Sequence, residues 1–305
     1  MSIFKGSGVA LITPFNDDFS VDYESLFNII DFQIRNGTDS RIVCGTTGEA
    51  STLDDDEHLE VIKRCVKRVN GRIPVIAGTG SNNTSHAIEM SKKAEKLGVD
   101  GLLIVTPYYN KTTQKGLKVH YKAIADSVKL PILMYNVPSR TGCNIEPETV
   151  IEIVKDNENI IGIKEASGNE KQVKKISDLF INQGIKLDLY SGNDNDVISL
   201  LENSGIGVIS VCANIAPKRT HEMVYHYVDK DLDYAKKIQD KQTELSEVLF
   251  SEVNPIPIKE ACYQMGLINT NNVRLPLVNM EEENKKNLIK VMKNQGFIRK
   301  DKIIN

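Results

Sequence analysis

A lysine at the end of an apolar segment is the residue of this sequence best placed to do chemistry. Residues 160–163 are a short, continuous apolar run, and the charged Lys164 follows them directly. Such a run is typical of a strand that is buried on both faces of a parallel sheet. Lys164 is therefore expected at the rim of a sheet, where ligands bind in parallel α/β folds and where reduced solvation favours a neutral, nucleophilic amine.

A tyrosine one strand–helix unit earlier makes this chemistry more specific. Tyr135 precedes Lys164 by 29 positions, and one such unit has about 30 residues, so we expect the two side chains on neighbouring strands. A neutral lysine amine attacks a ketone or an aldehyde and forms an imine, which stabilises a carbanion at the adjacent carbon. Imine chemistry also needs proton transfer, which Tyr135 could supply with Thr46 or Thr47 connecting it to a second phenol.

Two further segments offer groups that bind carboxylates. Arg140 carries a planar fork of donors, which fits a carboxylate better than a lysine does. Residues 45–49, Gly-Thr-Thr-Gly-Glu, follow a predicted strand, and the amides of the glycines and threonines could hold a second, smaller carboxylate. Together these groups predict a 2-oxo acid substrate and a reaction partner that carries a carboxylate.

Each of these residues also has a purely structural interpretation. A lysine at a strand end is commonly a solvated loop residue, and Tyr135 could be a core tyrosine with a satisfied hydroxyl. Tyr108 and Tyr109 could belong to a surface loop, and Arg140 to a surface ion pair of small energetic value. The threonine pair could form only a tight turn between glycines. The residues alone leave these alternatives open.

The elements that must position these residues follow a repeated strand, loop and helix pattern. Strand-like runs recur at intervals of mostly about 30 residues, with amphipathic helical segments between them. We therefore predict an α/β fold, a (β/α)8 TIM barrel over residues 1–229, with a doubly wound open sheet as the alternative. Three helical segments after the last strand predict a small C-terminal helical domain over residues 230–305. The predicted strands begin near Val9, Ile42, Pro74, Gly101, Pro131, Ile160, Leu187 and Gly207.

Composition limits the classes of function. The chain has 305 residues, of which 40% are hydrophobic and 26% charged, as is ordinary for a globular protein. A net charge of −3 without a basic stripe argues against nucleic acid and anionic membranes as partners, and no apolar stretch is long enough to span a bilayer. Five scattered cysteines without a CxxC pair indicate neither a disulfide framework nor a zinc site, and they fit a reducing cytoplasm.

Motifs for cofactors and metals are incomplete. Gly78-Thr79-Gly80 follows a predicted strand as a dinucleotide-binding loop would, but Asn83 stands where the third glycine belongs. The five histidines do not form a zinc-binding pattern with carboxylates. A nicotinamide-dependent oxidoreductase and a catalytically silent binding module stay as alternative classes of function.

Three segments of the chain closely resemble the dihydrodipicolinate synthase family of pyruvate-dependent class I aldolases, which includes N-acetylneuraminate lyases. They are residues 45–49, 135–142 and 162–166, and the resemblance extends from Gly6 to the region of Gly296. It implies a (β/α)8 barrel with a C-terminal helical domain. It also implies condensation of pyruvate with L-aspartate 4-semialdehyde to 4-hydroxy-tetrahydrodipicolinate, a step of lysine and diaminopimelate biosynthesis, without a cofactor or a metal.

The resemblance implies catalytic roles for single residues. Lys164 matches the lysine that forms a Schiff base with pyruvate, and Tyr135 matches the tyrosine that donates and accepts protons. Thr46 and Tyr109 match the other members of the proton relay. Tyr109 would reach the site from an adjacent subunit of a homotetramer, which the family typically forms as a dimer of dimers.

The resemblance also implies which residues bind the substrates. Thr47 and Ile209 match positions that contact pyruvate, and Arg140 matches the arginine that receives the carboxylate of the semialdehyde. The Ser-Arg-Thr-Gly sequence at residues 139–142 favours the synthase over sialic acid lyases, which usually lack it. A related aldolase that acts on a sugar acid such as N-acetylneuraminate stays as the alternative.

The chain departs from the family at the site of feedback inhibition by lysine. Inhibited members carry a glutamate where this chain has His86, and some carry a histidine where it has Asp55. Losing the carboxylate that receives the inhibitor's amine removes a charge-assisted hydrogen bond of about 1.5–3 kcal/mol, or at least roughly tenfold in affinity. We therefore predict weak or absent inhibition by lysine.

Overall fold

The computed structural model describes residues 2–299, and its centre is a closed barrel of parallel strands. Each strand pairs with the next in chain order, and β8 pairs with β1 to close the barrel. This topology confirms the predicted (β/α)8 TIM barrel and excludes the open sheet. The strands are β1 (Gly6–Ala10), β2 (Ser40–Val43), β3 (Val75–Gly78), β4 (Gly101–Val105), β5 (Ile132–Asn136), β6 (Ile160–Glu165), β7 (Asp188–Ser191) and β8 (Gly207–Ser210).

Helices follow the strands and cover the outside of the barrel. They are α1 (Tyr23–Arg35), α2 (Asp55–Val69), α3 (Thr84–Lys96), α4 (Gln114–Ala125), α5 (Pro138–Thr141), α6 (Pro147–Asp156), α7 (Glu170–Asn182), α8 (Val197–Glu202) and α9 (Pro217–Val228). In α2, the Asp54 side chain caps the first turn by accepting a hydrogen bond from the Glu57 amide at 2.8 Å. Ile62 and Val69 lie on the buried face of α2, which agrees with the amphipathic helical segments that the sequence predicts.

The barrel interior is a packed core, so space for chemistry lies only at its ends. Large side chains from successive strands fill it, as is typical of this fold. Ligands bind where the carboxyl ends of the strands meet, an end that we call the mouth. The buried interior cluster comprises Phe4, Ala10, Ile42, Ile76, Leu103, Leu133, Tyr135, Val137, Ala166, Tyr190 and Ile209.

Three helices follow α9, as the sequence predicts: α10 (Leu232–Leu249), α11 (Ile256–Gln264) and α12 (Glu282–Asn294). The domain boundary after residue 229 falls between α9 and α10 and stays a prediction, and residues 300–305 lie outside the described part of the chain. Among the described residues, none of the helices combines the length and the apolar character that crossing a membrane requires.

A buried ion pair joins the C-terminal helices to the mouth. Lys259 of α11 and Glu49 both have fully buried side chains, and their Nζ and Oε1 atoms are 2.6 Å apart. The second oxygen of Glu49 accepts a hydrogen bond from the Arg274 amide at 2.9 Å, and Lys259 Nζ lies 4.0 Å from the centroid of the Phe15 ring. Burial lowers the pKa of Lys259, and the Glu49 carboxylate opposes that shift.

We predict that Lys259→Met lowers the free energy of unfolding by about 3–5 kcal/mol, because the substitution leaves the Glu49 carboxylate buried without a cation. Adding Glu49→Gln should recover part of this loss, because the remaining buried groups are then neutral. Urea unfolding of the wild type and both variants at one protein concentration measures the two differences. If Lys259→Met alone were as stable as the wild type, the ion pair would not be what holds these segments together.

Candidate active site

Lys164 and Tyr135 lie side by side inside the mouth. The strand register pairs Tyr135 of β5 with Lys164 of β6, and it pairs Lys164 with Tyr190 of β7. Lys164 is only 5% exposed, and its Nζ atom lies 4.3 Å from the centroid of the Tyr135 ring. The structure therefore brings together the amine and the phenol that the sequence predicts as neighbours, and the amine is not a solvated loop residue.

A glycine that the sequence analysis did not single out leaves the space for this lysine. A Cβ atom at Gly192 would lie 2.5 Å from Cβ of Ala166, closer than real Cβ atoms come to their neighbours, and 3.0 Å from Cε of Lys164, which is also a tight contact. Gly192 directly follows β7. Its place after a predicted strand was visible in the sequence, but the contact with Lys164 was not.

The turn after β2 holds the two threonines at the mouth. The amide of Gly48 donates to the Gly45 carbonyl at 3.1 Å, and the amide of Glu49 donates to the Thr46 carbonyl at 3.1 Å. The Gly48 amide is thus engaged within the turn, contrary to the expectation that it could hold a carboxylate. The amides of Thr46 and Thr47 have no hydrogen-bond partner among residues 2–299 and are available to an anion.

Asn254 contacts both predicted carboxylate-binding side chains, although the sequence analysis missed this role. Its Nδ2 atom donates to the hydroxyl of Thr47 at 3.0 Å, so the hydroxyl proton of Thr47 is free to be donated elsewhere. The backbone carbonyl of Asn254 accepts a hydrogen bond from Nη2 of Arg140 at 3.4 Å. Asn254 is 207 positions from Thr47, and no local pattern could reveal such a contact.

The remaining predicted residues occupy different parts of the mouth. Ile209 is fully buried in the same interior cluster as Tyr135, and Arg140 is exposed in the short helix α5. Thr46 is half-buried, and within the described chain its hydroxyl is not hydrogen-bonded to that of Tyr135. Catalytic hydrogen bonds are often longer before a substrate binds, so this geometry does not remove Thr46 from a relay.

Tyr109 does not share the burial of Lys164 and Tyr135. It is 92% exposed, and its φ of 67° is a left-handed conformation that is uncommon for a tyrosine. The amide of Asn110 donates to the carbonyl of Tyr108 at 2.8 Å, which closes a γ-turn around Tyr109. Strained turns of this kind cluster at functional sites.

A buried lysine amine beside a tyrosine, inside the mouth of a (β/α)8 barrel, is the arrangement of a class I aldolase, in which the amine is the nucleophile. Comparison with known proteins identifies the family. The chain belongs to the dihydrodipicolinate synthetase family, whose model matches residues 3–295. The resemblance found in the sequence is thereby confirmed.

Individual relatives match over nearly their whole length. A protein from Caldicellulosiruptor bescii named 4-hydroxy-tetrahydrodipicolinate synthase is 54% identical over 97% of this chain and 99% of its own. The crystal structure of dihydrodipicolinate synthase from Thermotoga maritima is 42% identical, covers 97% of this chain and 100% of its own, and superimposes with a TM-score of 0.95. A structure of a monomeric dihydrodipicolinate synthase variant is also 42% identical, with coverages of 97% and 98% and a TM-score of 0.95.

Proposed function

We propose that this chain is a lyase that condenses pyruvate with L-aspartate 4-semialdehyde to 4-hydroxy-tetrahydrodipicolinate, in the biosynthesis of lysine and diaminopimelate. The observation that carries the proposal is the buried amine of Lys164, 4.3 Å from the centroid of the Tyr135 ring. Membership of the family and the names of the relatives support this reaction over the cleavage of a sugar acid.

In the proposed reaction, Nζ of Lys164 attacks the keto carbon of pyruvate, and loss of water gives an imine bound to the enzyme. The imine nitrogen takes up electron density when the methyl carbon loses a proton, and the resulting enamine attacks the aldehyde carbon of the semialdehyde. This step re-forms the imine, and the aldehyde oxygen takes up a proton and becomes the 4-hydroxyl group. The amino group of the semialdehyde then attacks the imine carbon, which closes the ring and releases the lysine amine. Tyr135, next to this amine, donates a proton to the leaving hydroxyl and accepts protons in other steps.

The two substrate carboxylates would bind on different elements of the mouth. The free amides of Thr46 and Thr47 and the hydroxyl proton of Thr47 form a compact set of donors for the carboxylate of pyruvate. Ile209, buried in the same interior cluster as Tyr135, would supply an apolar wall. Arg140 is exposed, with Asn254 as its hydrogen-bond partner, and its fork of donors fits the carboxylate of the semialdehyde.

Borohydride reduction in the presence of pyruvate should trap the imine as a stable amine. We expect peptide mass spectrometry to find the pyruvate-derived mass on the peptide that holds Lys164. Lys164→Arg should abolish the adduct, because a guanidinium stays protonated and cannot attack. The matched control, Lys171→Arg on the exposed face of α7, should keep it. An adduct on another lysine, or none in the wild type, would refute the proposed mechanism.

We further propose that the chain forms a homotetramer, a dimer of dimers, in which Tyr109 completes the site of the adjacent subunit. The exposure of Tyr109 on a strained turn supports this proposal, because a large aromatic ring that projects so far into solvent suits burial in a partner. With Thr46 and Tyr135, the second phenol would form the proton relay.

Mixing two inactive variants tests this arrangement. In a mixed dimer of Lys164→Arg and Tyr109→Phe subunits, one of the two sites would contain an intact lysine and an intact tyrosine. We expect co-refolded variants in equal amounts to regain about a quarter of the wild-type activity, because half of the random dimers are mixed and each has one good site. Mixtures no more active than the separate variants would place Tyr109 in its own subunit's site or outside catalysis.

Two properties of the whole chain belong to the same proposal. The division into a barrel over residues 1–229 and a helical domain over residues 230–305 is supported by the end of the strand pattern after β8. A cytoplasmic location is supported by the cysteines, all five of which are free thiols in buried positions.

Weak response to lysine is the last part of the proposal. Nε2 of His86 and Oδ1 of Asp55 are 2.9 Å apart, and both side chains are partly exposed. The Asp55 carboxylate is therefore engaged by His86, and the position that carries a glutamate in inhibited relatives offers an imidazole to the inhibitor's amine. The nearby His58 is engaged by a hydrogen bond of 2.9 Å between its Nε2 atom and the Gly78 carbonyl.

We expect lysine at micromolar concentrations to leave the condensation rate unchanged, because the charge-assisted hydrogen bond to a carboxylate is missing. His86→Glu should increase the sensitivity to lysine at least about tenfold. A coupled assay with varied lysine measures both effects. Half-inhibition of the wild type by micromolar lysine would overturn this part of the proposal.

A further inference from the structure

A buried carboxylate directly after Lys164 has no place in the mechanism described above. Glu165 is 2% exposed and forms no ion pair among the described residues. Its Oε2 atom accepts hydrogen bonds from Asn136 Nδ2 at 2.9 Å and from Gln172 Nε2 at 3.1 Å, and its Oε1 atom accepts one from the Ser167 amide at 2.7 Å. A buried charge that only neutral donors stabilise makes each of these donors important.

The partners of Glu165 are themselves connected. Nδ2 of Asn136 also donates to Oδ1 of Asn144 at 2.9 Å, and Nε2 of Gln172 donates to the same oxygen at 3.1 Å. Nδ2 of Asn144 donates back to Oε1 of Gln172 at 2.9 Å. We call these four side chains, Asn136, Asn144, Glu165 and Gln172, the outer network.

The outer network closes the base of the loop that carries Arg140. Asn136 is the last residue of β5, Asn144 lies eight positions later, and α5 with Arg140 lies between them. Oδ1 of Asn136 accepts a further hydrogen bond from the Ile145 amide at 3.0 Å. The two ends of the loop are therefore joined to each other and to Glu165, while Arg140 itself extends from the exposed part.

We infer that Glu165 is a positioning residue for the second substrate, because it fixes the loop of Arg140 relative to the amine of Lys164. Successive residues of a strand point to opposite faces. At the end of β6, Lys164 therefore points into the barrel, and Glu165 points outward to the residues that hold the loop. This inference rests on the proposed function, in which Arg140 receives the carboxylate of the semialdehyde. A displacement of about 1 Å in such a group can cost about a hundredfold in rate.

Glu165→Gln tests the inference with little change in shape. An amide has an NH2 group in place of one acceptor oxygen, so at least one of the three donors to Glu165, from Asn136, Gln172 and the Ser167 amide, loses its partner. We expect kcat/KM for aspartate semialdehyde to fall at least about tenfold, whereas borohydride trapping of pyruvate on Lys164 proceeds at the wild-type rate. The matched control, Glu170→Gln, removes the same charge from an exposed position on α7 and should match the wild type in both measurements.

Asn144→Ala provides a second test that leaves Glu165 and β6 unchanged, and it also serves if Glu165→Gln does not fold. We expect the same selective loss, and the double variant should lose little more than either single one because both act through one network. The inference would be overturned if the single variants kept the wild-type kcat/KM, or if their losses of kcat/KM added up in the double variant. Loss of pyruvate trapping together with semialdehyde turnover would also overturn it. A wild-type enzyme that forms no adduct on Lys164 would instead refute the proposed function and, with it, this inference.

Discussion

The register between β5 and β6 is the constraint on which the site depends. It pairs Tyr135 with Lys164 and Asn136 with Glu165. Paired residues of neighbouring parallel strands share a face, and successive residues alternate between faces. The side chains of the first pair therefore point into the barrel, where they place the reactive amine beside the phenol. The side chains of the second pair point to the outer face of the barrel and form the network that holds the Arg140 loop. The ends of β5 and β6 therefore carry both the reactive groups and the residues that position the loop.

Long-range polar contacts fix the opposite side of the mouth. Two contacts with the C-terminal segment hold the turn that carries Thr46 and Thr47. Lys259 forms an ion pair with Glu49, and Asn254 donates a hydrogen bond to Thr47. The buried ion pair between Lys259 and Glu49 favours one arrangement, because any other leaves a charge without a partner in a low dielectric. The C-terminal segment thus contributes contacts that hold this side of the mouth in place.

The sequence predicted those features that depend on local pattern and on fold topology. An apolar run that ends in a lysine, with a tyrosine one unit earlier, indicated both the barrel strands and the adjacency of Lys164 and Tyr135. Contacts between distant segments carried no such signal: Asn254 is 207 positions from Thr47, and Lys259 is 210 positions from Glu49. Backbone conformation was equally hidden, since nothing local indicates that Tyr109 has a φ of 67°. Because conformation and tertiary packing decide these features, they required the structure.

In the proposed reaction, the buried Nζ atom of Lys164 becomes covalently bonded to pyruvate. The most direct measurement is a crystal structure of the protein with pyruvate. We expect continuous electron density from Nζ of Lys164 to the keto carbon, with the carboxylate of the adduct against the amides of Thr46 and Thr47. Pyruvate bound in the mouth without a bond to Lys164, at saturating concentration and active pH, would contradict it.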